Sequence, residues 1–276
     1  MIKRVLKNPT AFCCALFLLL LIGGVSLGPL LMDHDPISHS LAEAYQPPSA
    51  DHVFGTDKFG RDLCARTLQG GRISLAVAFL AALLAMVIGI PYGLISGYLG
   101  GKVDAAANWV LNVFMAFPQF FLLLAVVALL GTHHFTWVIF IIGFLSWMNI
   151  ARIVRNMTFS IKEREFIQAE KVVGISKRRL LWRHITPNLV PSVIVAFTLM
   201  IGDVILIESA LSFLGLGVQP PMPSWGNIIN EGRQVLIDAW WISLFPGLAI
   251  LLTVFCVNLL GERLQQVMIS RDGAEC

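Results

Sequence analysis

The sequence predicts an all-α, polytopic membrane protein with six transmembrane helices and both termini cytoplasmic. Four observations predict it. Hydrophobic residues make up 57% of the 276 positions and charged residues 13%, against about 45–50% and about 25% in soluble domains. Mean hydropathy is +0.76. Six stretches stay mostly apolar over the roughly 20 residues that a helix needs to cross a bilayer: 11–32, 73–98, 106–130, 135–151, 189–211 and 242–260. Lys and Arg are also unevenly shared. With the N-terminus inside, fifteen of the 20 fall on inner segments, nine of them between Arg152 and Arg183, which orients the chain. This composition excludes disordered, collagen-like and coiled-coil classes. Continuous apolar runs, not alternating ones, exclude a β-barrel.

The first run follows Lys3, Arg4 and Lys7, as a signal peptide would. It is too long for such a core and has no A-x-A-like cleavage site close behind, so it reads as an uncleaved anchor. Residues 1–72 are therefore expected to form an anchor helix and an outer segment, and 73–276 a five-helix core. The second run carries Gly89-x-x-x-Gly93-x-x-x-Gly97, a small-residue face that lets another helix approach closely. Pro91, Pro118 and Pro246 are expected to bend or unwind their helices, which a membrane tolerates where protein or water meets the freed carbonyls. The fifth run alone holds acids, Asp203 and Glu208. A carboxylate in a span is costly and marks a bundle interior, a path or an interface, so both are candidate path or gate residues.

The inner loop 152–188 carries the strongest local signal. Phe166, Ala169 and Val173 share one helical face. Gly174 suits a left-handed helix end. Ser176 suits the N-cap of a second helix running from 177 to about 185. Pro187 is expected to break the chain before the fifth span. A basic helix–turn–helix of this kind could lie on anionic lipid, read DNA, or dock into a groove on a cytoplasmic partner. Tethering by spans at both ends argues against DNA.

This loop resembles the "EAA" loop of bacterial ABC importer permeases. Gln168, Ala169 and Glu170 stand at the triplet, Gly174 at the glycine, and His184, Ile185, Thr186 and Pro187 at the end. Gln168 replaces the usual Glu, Glu170 the second Ala, and Thr186 the usual Leu. Two more segments resemble the dipeptide/oligopeptide/nickel branch, and within it the C-type subunit. One is FGTDKFGRD, with Gly55, Asp57, Gly60, Arg61 and Asp62. The other is SFLGLGVQPPMPSWG, with Gly215, Gly217 and Trp225. The resemblance implies a type I ABC importer permease of the bacterial inner membrane that forms half of a path for di- or oligopeptides, with nickel or a metal chelate as the alternative cargo. It implies a heterodimer with a second permease, two ABC ATPase subunits engaged through 163–187, and an extracytoplasmic binding protein. ATP and magnesium would sit on the ATPases. In agreement, this chain lacks G-x-x-x-x-G-K-[ST]; its one Gly-Lys step is Gly101-Lys102, followed by Val103, with no hydroxyl for magnesium.

Other classes fit less well. Gly24-Val25-Ser26-Leu27-Gly28 matches a nucleophile elbow, but that motif needs a strand–turn–helix and this one lies in a span. The five cysteines form no CxxC, so neither a zinc knuckle nor a disulfide framework is indicated. His34, His39, His52, His133 and His134 fall on outer segments with Asp33, Asp35 and Asp51. Their spacing matches no recognised metal site, although imidazole suits nickel. A channel or secondary transporter would explain six spans but leave the inner loop without a partner. Asp57, Arg61 and Asp62 are expected to pair with one another and pin the outer loop.

Overall fold

The computed structural model describes residues 8–31, 38–131 and 135–272. Helix α1 is Pro9–Leu31, α2 Leu63–Leu99, α3 Gly101–Met115, α4 Gln119–Leu130 and α5 Phe135–Lys162. Then come α6 Glu165–Val172, α7 Lys177–Leu180, α8 Thr186–Phe213, α9 Trp225–Gly232 and α10 Trp241–Asp272. Among the described residues, five helical stretches are long and apolar enough to cross a membrane, or six if α3 and α4 count as one. These two are bent by 75°. The third predicted span is therefore corrected to a broken one. Pro118, which lacks an N–H, stands as the N-cap of α4 and cannot continue the helix before it. Pro91 and Pro246, by contrast, lie within uninterrupted helices.

Several boundaries also move. Helix α2 begins ten residues before the predicted span, because Asp62 caps it by accepting from Ala65 N. Its 37 residues span about 55 Å, well beyond a hydrocarbon layer of about 30 Å. The division at residue 72 thus falls inside one continuous helix. Helix α5 runs eleven residues past Ala151 to Lys162, so the inner loop starts on a helical stalk. Near Pro187 the chain does not break. A five-residue π turn, Leu181–Ile185, joins α7 to α8, and the wider turn absorbs the proline that an α-helix would not.

The core is the α2–α5 pair, with α8 against it and α10 against α8. The glycines of α2 explain the closeness. A Cβ at Gly89, Gly93 or Gly97 would lie 2.5–2.7 Å from the carbonyls of Trp147, Ala151 and Arg155. Gly143 of α5 returns the fit against the Ala81 carbonyl. At these glycines the two backbones approach closely, with Ile150, Val154 and Thr158 packed against the glycine face, as the sequence spacing predicts. Asp104 of α3 ties the same pair. It accepts from Ser96 Oγ at 2.6 Å and from Arg155 Nε and Nη2 at 2.5 Å. Helix α1 rests on α2 and α10 and leaves Phe12, Leu19, Leu20 and Ile22 exposed, a surface suited to lipid.

Candidate functional site

Two candidate regions lie at opposite ends of α8. At one end, α6 and α7 form the expected helix–turn–helix. Gly174 has φ +83°. Ile175 N donates to Glu170 O and Gly174 N to Lys171 O, the two bonds of a Schellman turn. Ser176 Oγ accepts from Arg179 N and caps α7. Helix α6 splits its apolar residues. Ile167 is buried against the bundle, while Phe166 is 43%, Val172 88% and Val173 81% exposed. Ala169 is exposed as well. The face expected from Phe166, Ala169 and Val173 therefore points outward, and Val172 joins it.

The departures from the EAA pattern have local roles. Gln168 Nε2 donates to Lys162 O at 3.0 Å and Glu163 Oε2 at 3.2 Å, which folds α6 back onto the end of α5. Glu170 Oε1 lies 2.8 Å from His184 Nδ1 and links α6 to the π turn. The other Glu170 oxygen is buried with no hydrogen-bond partner among the described residues. Pro187 opens α8 in its first turn.

At the other end a charge cluster joins segments far apart in sequence. Arg61 Nε donates to Asp57 Oδ2 at 2.6 Å, and Arg66 donates to the same oxygen. Arg66 Nη1 and Nη2 donate to the two oxygens of Glu231 at 2.7 and 3.1 Å, and Arg61 Nη2 reaches Glu231 Oε2 at 2.9 Å. Two cations thus meet two anions. Asp57, Arg61 and Arg66 are buried. Burial alone would raise the Asp57 carboxyl, but Arg66 and Arg61 and the backbone N–H groups of Phe59 and Arg61 outweigh it and hold it below its ordinary value. The expected mutual pairing is corrected at Asp62. That residue caps α2 and lies 2.9 Å from His52 Nδ1. Gly60 is left-handed at φ +70°, and a Cβ there would lie 1.8 Å from Ser40 O. Gly55 is left-handed too, and Trp241 Nε1 donates to the neighbouring Thr56 O.

Beside the cluster, Glu208 is fully buried. Ser74 Oγ donates to Glu208 Oε2 at 2.9 Å and Ser212 Oγ to Oε1 at 2.7 Å. Each hydroxyl also accepts a backbone N–H, from Trp225 and Val218 respectively. Trp225 Nε1 donates to Thr67 O. Gly215 closes α8 with a second Schellman turn, Leu216 N to Leu211 O and Gly215 N to Ser212 O. Gly217 packs on Ser212 so closely that a Cβ would overlap its hydroxyl. Ser224 and Asn227 form a reciprocal capping box on α9. Residues 212–226 thus form an ordered turn leading into α9.

Asp203 and Glu208 do not form one site. Five residues apart on α8, they face differently: Glu208 is internal and Asp203 is exposed, with no ion pair or hydrogen bond among the described residues. Sequence reasoning missed Arg66, Glu231, Ser74 and Ser212, the partners that give the outer motifs their shape. His34, His133, His134, Asp33 and Asp35 lie outside the described residues.

This arrangement matches known proteins. The family described as binding-protein-dependent transport system inner membrane component matches residues 89–271. The chain is 38% identical over 267 residues to the dipeptide transport system permease protein DppC of Bacillus subtilis, covering 96% of this chain and 83% of that protein. It is 39% identical to the oligopeptide transport system permease protein OppC of Escherichia coli, covering 98% and 90%. It is 38% identical to the glutathione transport system permease protein GsiD of Pectobacterium atrosepticum, covering 96% and 88%. A solved structure of the MetNI methionine ABC transporter in inward-facing conformations contains a chain of the same fold, at TM-score 0.61 and 19% identity, over 73% of this chain and 95% of that one. The membrane helices, the loop of α6 and α7 and these relatives converge on one assignment: the chain belongs to the inner-membrane components of binding-protein-dependent transport systems.

Proposed function

We propose that this chain is one of two membrane subunits of an ATP-driven importer and forms half of a path for di- or oligopeptides. Both termini face the cytoplasm, the anchor and outer segment end where α2 begins at Leu63 and not at residue 72, and the chain from α2 onward forms the core with coupling loop 152–188. The observation that carries the reading is the outward apolar face of α6, with Phe166, Val172 and Val173 exposed beyond the membrane helices. An ATPase cleft that takes an amphipathic helix would cover it. Two ATPases, holding nucleotide and magnesium, would push on α6, and the Schellman turn at Gly174 and the Glu170–His184 contact would pass that push into α5 and α8.

Asp203 supports the other half of the proposal. An exposed carboxylate without a partner among the described residues is too costly to face lipid. It would face the second permease or the water of the path. Glu208, Trp225 and the Asp57–Glu231 cluster would hold the outer cap on which a loaded binding protein settles. Peptide is the first cargo because DppC and OppC are dipeptide and oligopeptide permeases by name.

The test is uptake by the purified complex in sealed vesicles, with labelled dipeptide, oligopeptide or nickel and the matching binding protein outside. ATP-dependent peptide uptake, together with two ATPases and a second permease in the native mass spectrum, is the expected result. Nickel uptake without peptide uptake would change the cargo. Uptake by the lone chain without ATP would reject the importer.

A further inference from the structure

Beyond the turn at Gly174 the chain changes character. Lys177, Arg178, Arg179 and Arg183 fall within seven residues, and none has an ion pair among the described residues. Ser176, Arg178, Arg179, Trp182, Arg183 and Pro187 line an open groove of about 670 Å³. Trp182 is 64% exposed. These residues follow the turn at Gly174 and do not belong to α6, so a partner seated on Phe166, Val172 and Val173 need not cover them.

The position of the groove says what it meets. The run Lys177–Phe213 is one candidate span of 37 residues, or about 55 Å, against a hydrocarbon layer of about 30 Å. Its basic first turns therefore stand at the level of the headgroups, where an exposed tryptophan also settles. Arg179, Arg183, Pro187, Val190 and Ile194 follow one another at helical spacing, and all five are exposed. Along that stripe the order is cation, cation, proline, aliphatic, aliphatic. A phospholipid has the same order, from anionic phosphate to acyl chain. Lysines and arginines just outside a span attract such lipids.

We propose that this groove binds the phosphate of an anionic phospholipid of the inner leaflet, with one acyl chain along Val190 and Ile194. Arg178, Arg179 and Arg183 hold the phosphate, and Trp182 covers the glycerol level. The bound lipid seats the hinge between coupling loop and membrane. The proposal depends on the chain lying in a membrane with this loop inside, not on which solute is carried.

The complete complex is equilibrated with vesicles of phosphatidylcholine and phosphatidylglycerol, transferred to mild detergent and weighed by native mass spectrometry. Phosphatidylglycerol should remain on the permease in preference to phosphatidylcholine. In R178Q/R179Q/R183Q its retention should fall about a hundredfold, since each basic residue near an anionic surface changes affinity about fivefold. Excess inorganic phosphate should leave the lipid in place. Equal retention by the variant, or displacement by phosphate alone, overturns the proposal. So does loss of the ATPases from the variant in the same spectrum, because the cations would then face the ATPase.

Discussion

The two ends of α8 each carry a Schellman turn at a left-handed glycine, Gly174 on one side and Gly215 on the other, yet they are finished differently. Around Gly215 the carboxylate, hydroxyls and backbone N–H groups meet within the chain, and Trp225 is buried. Around Gly174 the apolar side chains Phe166, Val172 and Val173 point outward, and among the described residues four cations have no ion pair and one Glu170 oxygen no hydrogen bond. The first end pairs most of its groups within the chain, although Thr67 Oγ1 and Ser209 Oγ are buried there without a hydrogen bond among the described residues. The second leaves an apolar face and a basic groove open. Rigidity on one side and an open face on the other suit a part that receives motion at the loop and transmits it to a fixed cap.

The largest effect expected from breaking this contrast is at Glu231. Glu231→Ala leaves Arg61 and Arg66 with two cations against Asp57 alone. Removing one partner of a buried pair costs about 3–5 kcal/mol, so the thermal transition of the purified complex should drop sharply. A small drop would mean that water enters the cluster. The loop end should behave the other way. Gly174→Asp forces a side chain into a left-handed turn at a cost of about 1–2 kcal/mol, with open space around it. The helices should stay inserted while ATP-driven uptake falls by more than tenfold, measured in the same vesicles. Normal uptake would remove this turn from the coupling role.

A smaller effect is expected at the Glu170–His184 contact. Both side chains are about a quarter exposed, so a double-mutant cycle with Glu170→Gln and His184→Gln should give a coupling below about 1 kcal/mol. A larger value would show the loop to be as firmly set as the cap. The weakest dependence is on acid. Asp57 has its pKa lowered in the folded chain, so its contribution is full above the ordinary carboxylate value of about 3.9 and is lost only as pH falls through the lower folded value. Cleavage of residues 49–62 by an acid-stable protease should stay slow through mildly acidic pH and rise only below that range. Release near neutral pH would contradict the lowered value.

The loop end is legible in the sequence because its rules are local. Gly174 ends one helix, Ser176 starts the next, and the apolar spacing lies within eight residues. The cap is only half legible. Asp57 and Arg61 pair four residues apart, as expected, but Arg66 and Glu231 are 165 residues apart, and no periodicity connects them. Asp62 is claimed by His52 and the α2 N-terminus, a competition that only the folded loop resolves. The spans are legible from hydropathy, whereas the break at Pro118 and the π turn before Pro187 are not. A proline can interrupt a helix, pass through it or shift its register, and packing decides which. Pro91 and Pro246 pass through; Pro118 does not.

The backbone contact of α2 with α5 has a mechanical consequence. Two helices that approach so closely at Gly89, Gly93 and Gly97 have little room in which to shear, so they act as a single beam. One end of that beam is Lys162, where the loop is attached; the other is Asp62, where the cap begins. In the proposed importer, a push at the first end would be carried to the second over a distance of about 55 Å. The 75° bend between α3 and α4 lies beside the beam and not along it.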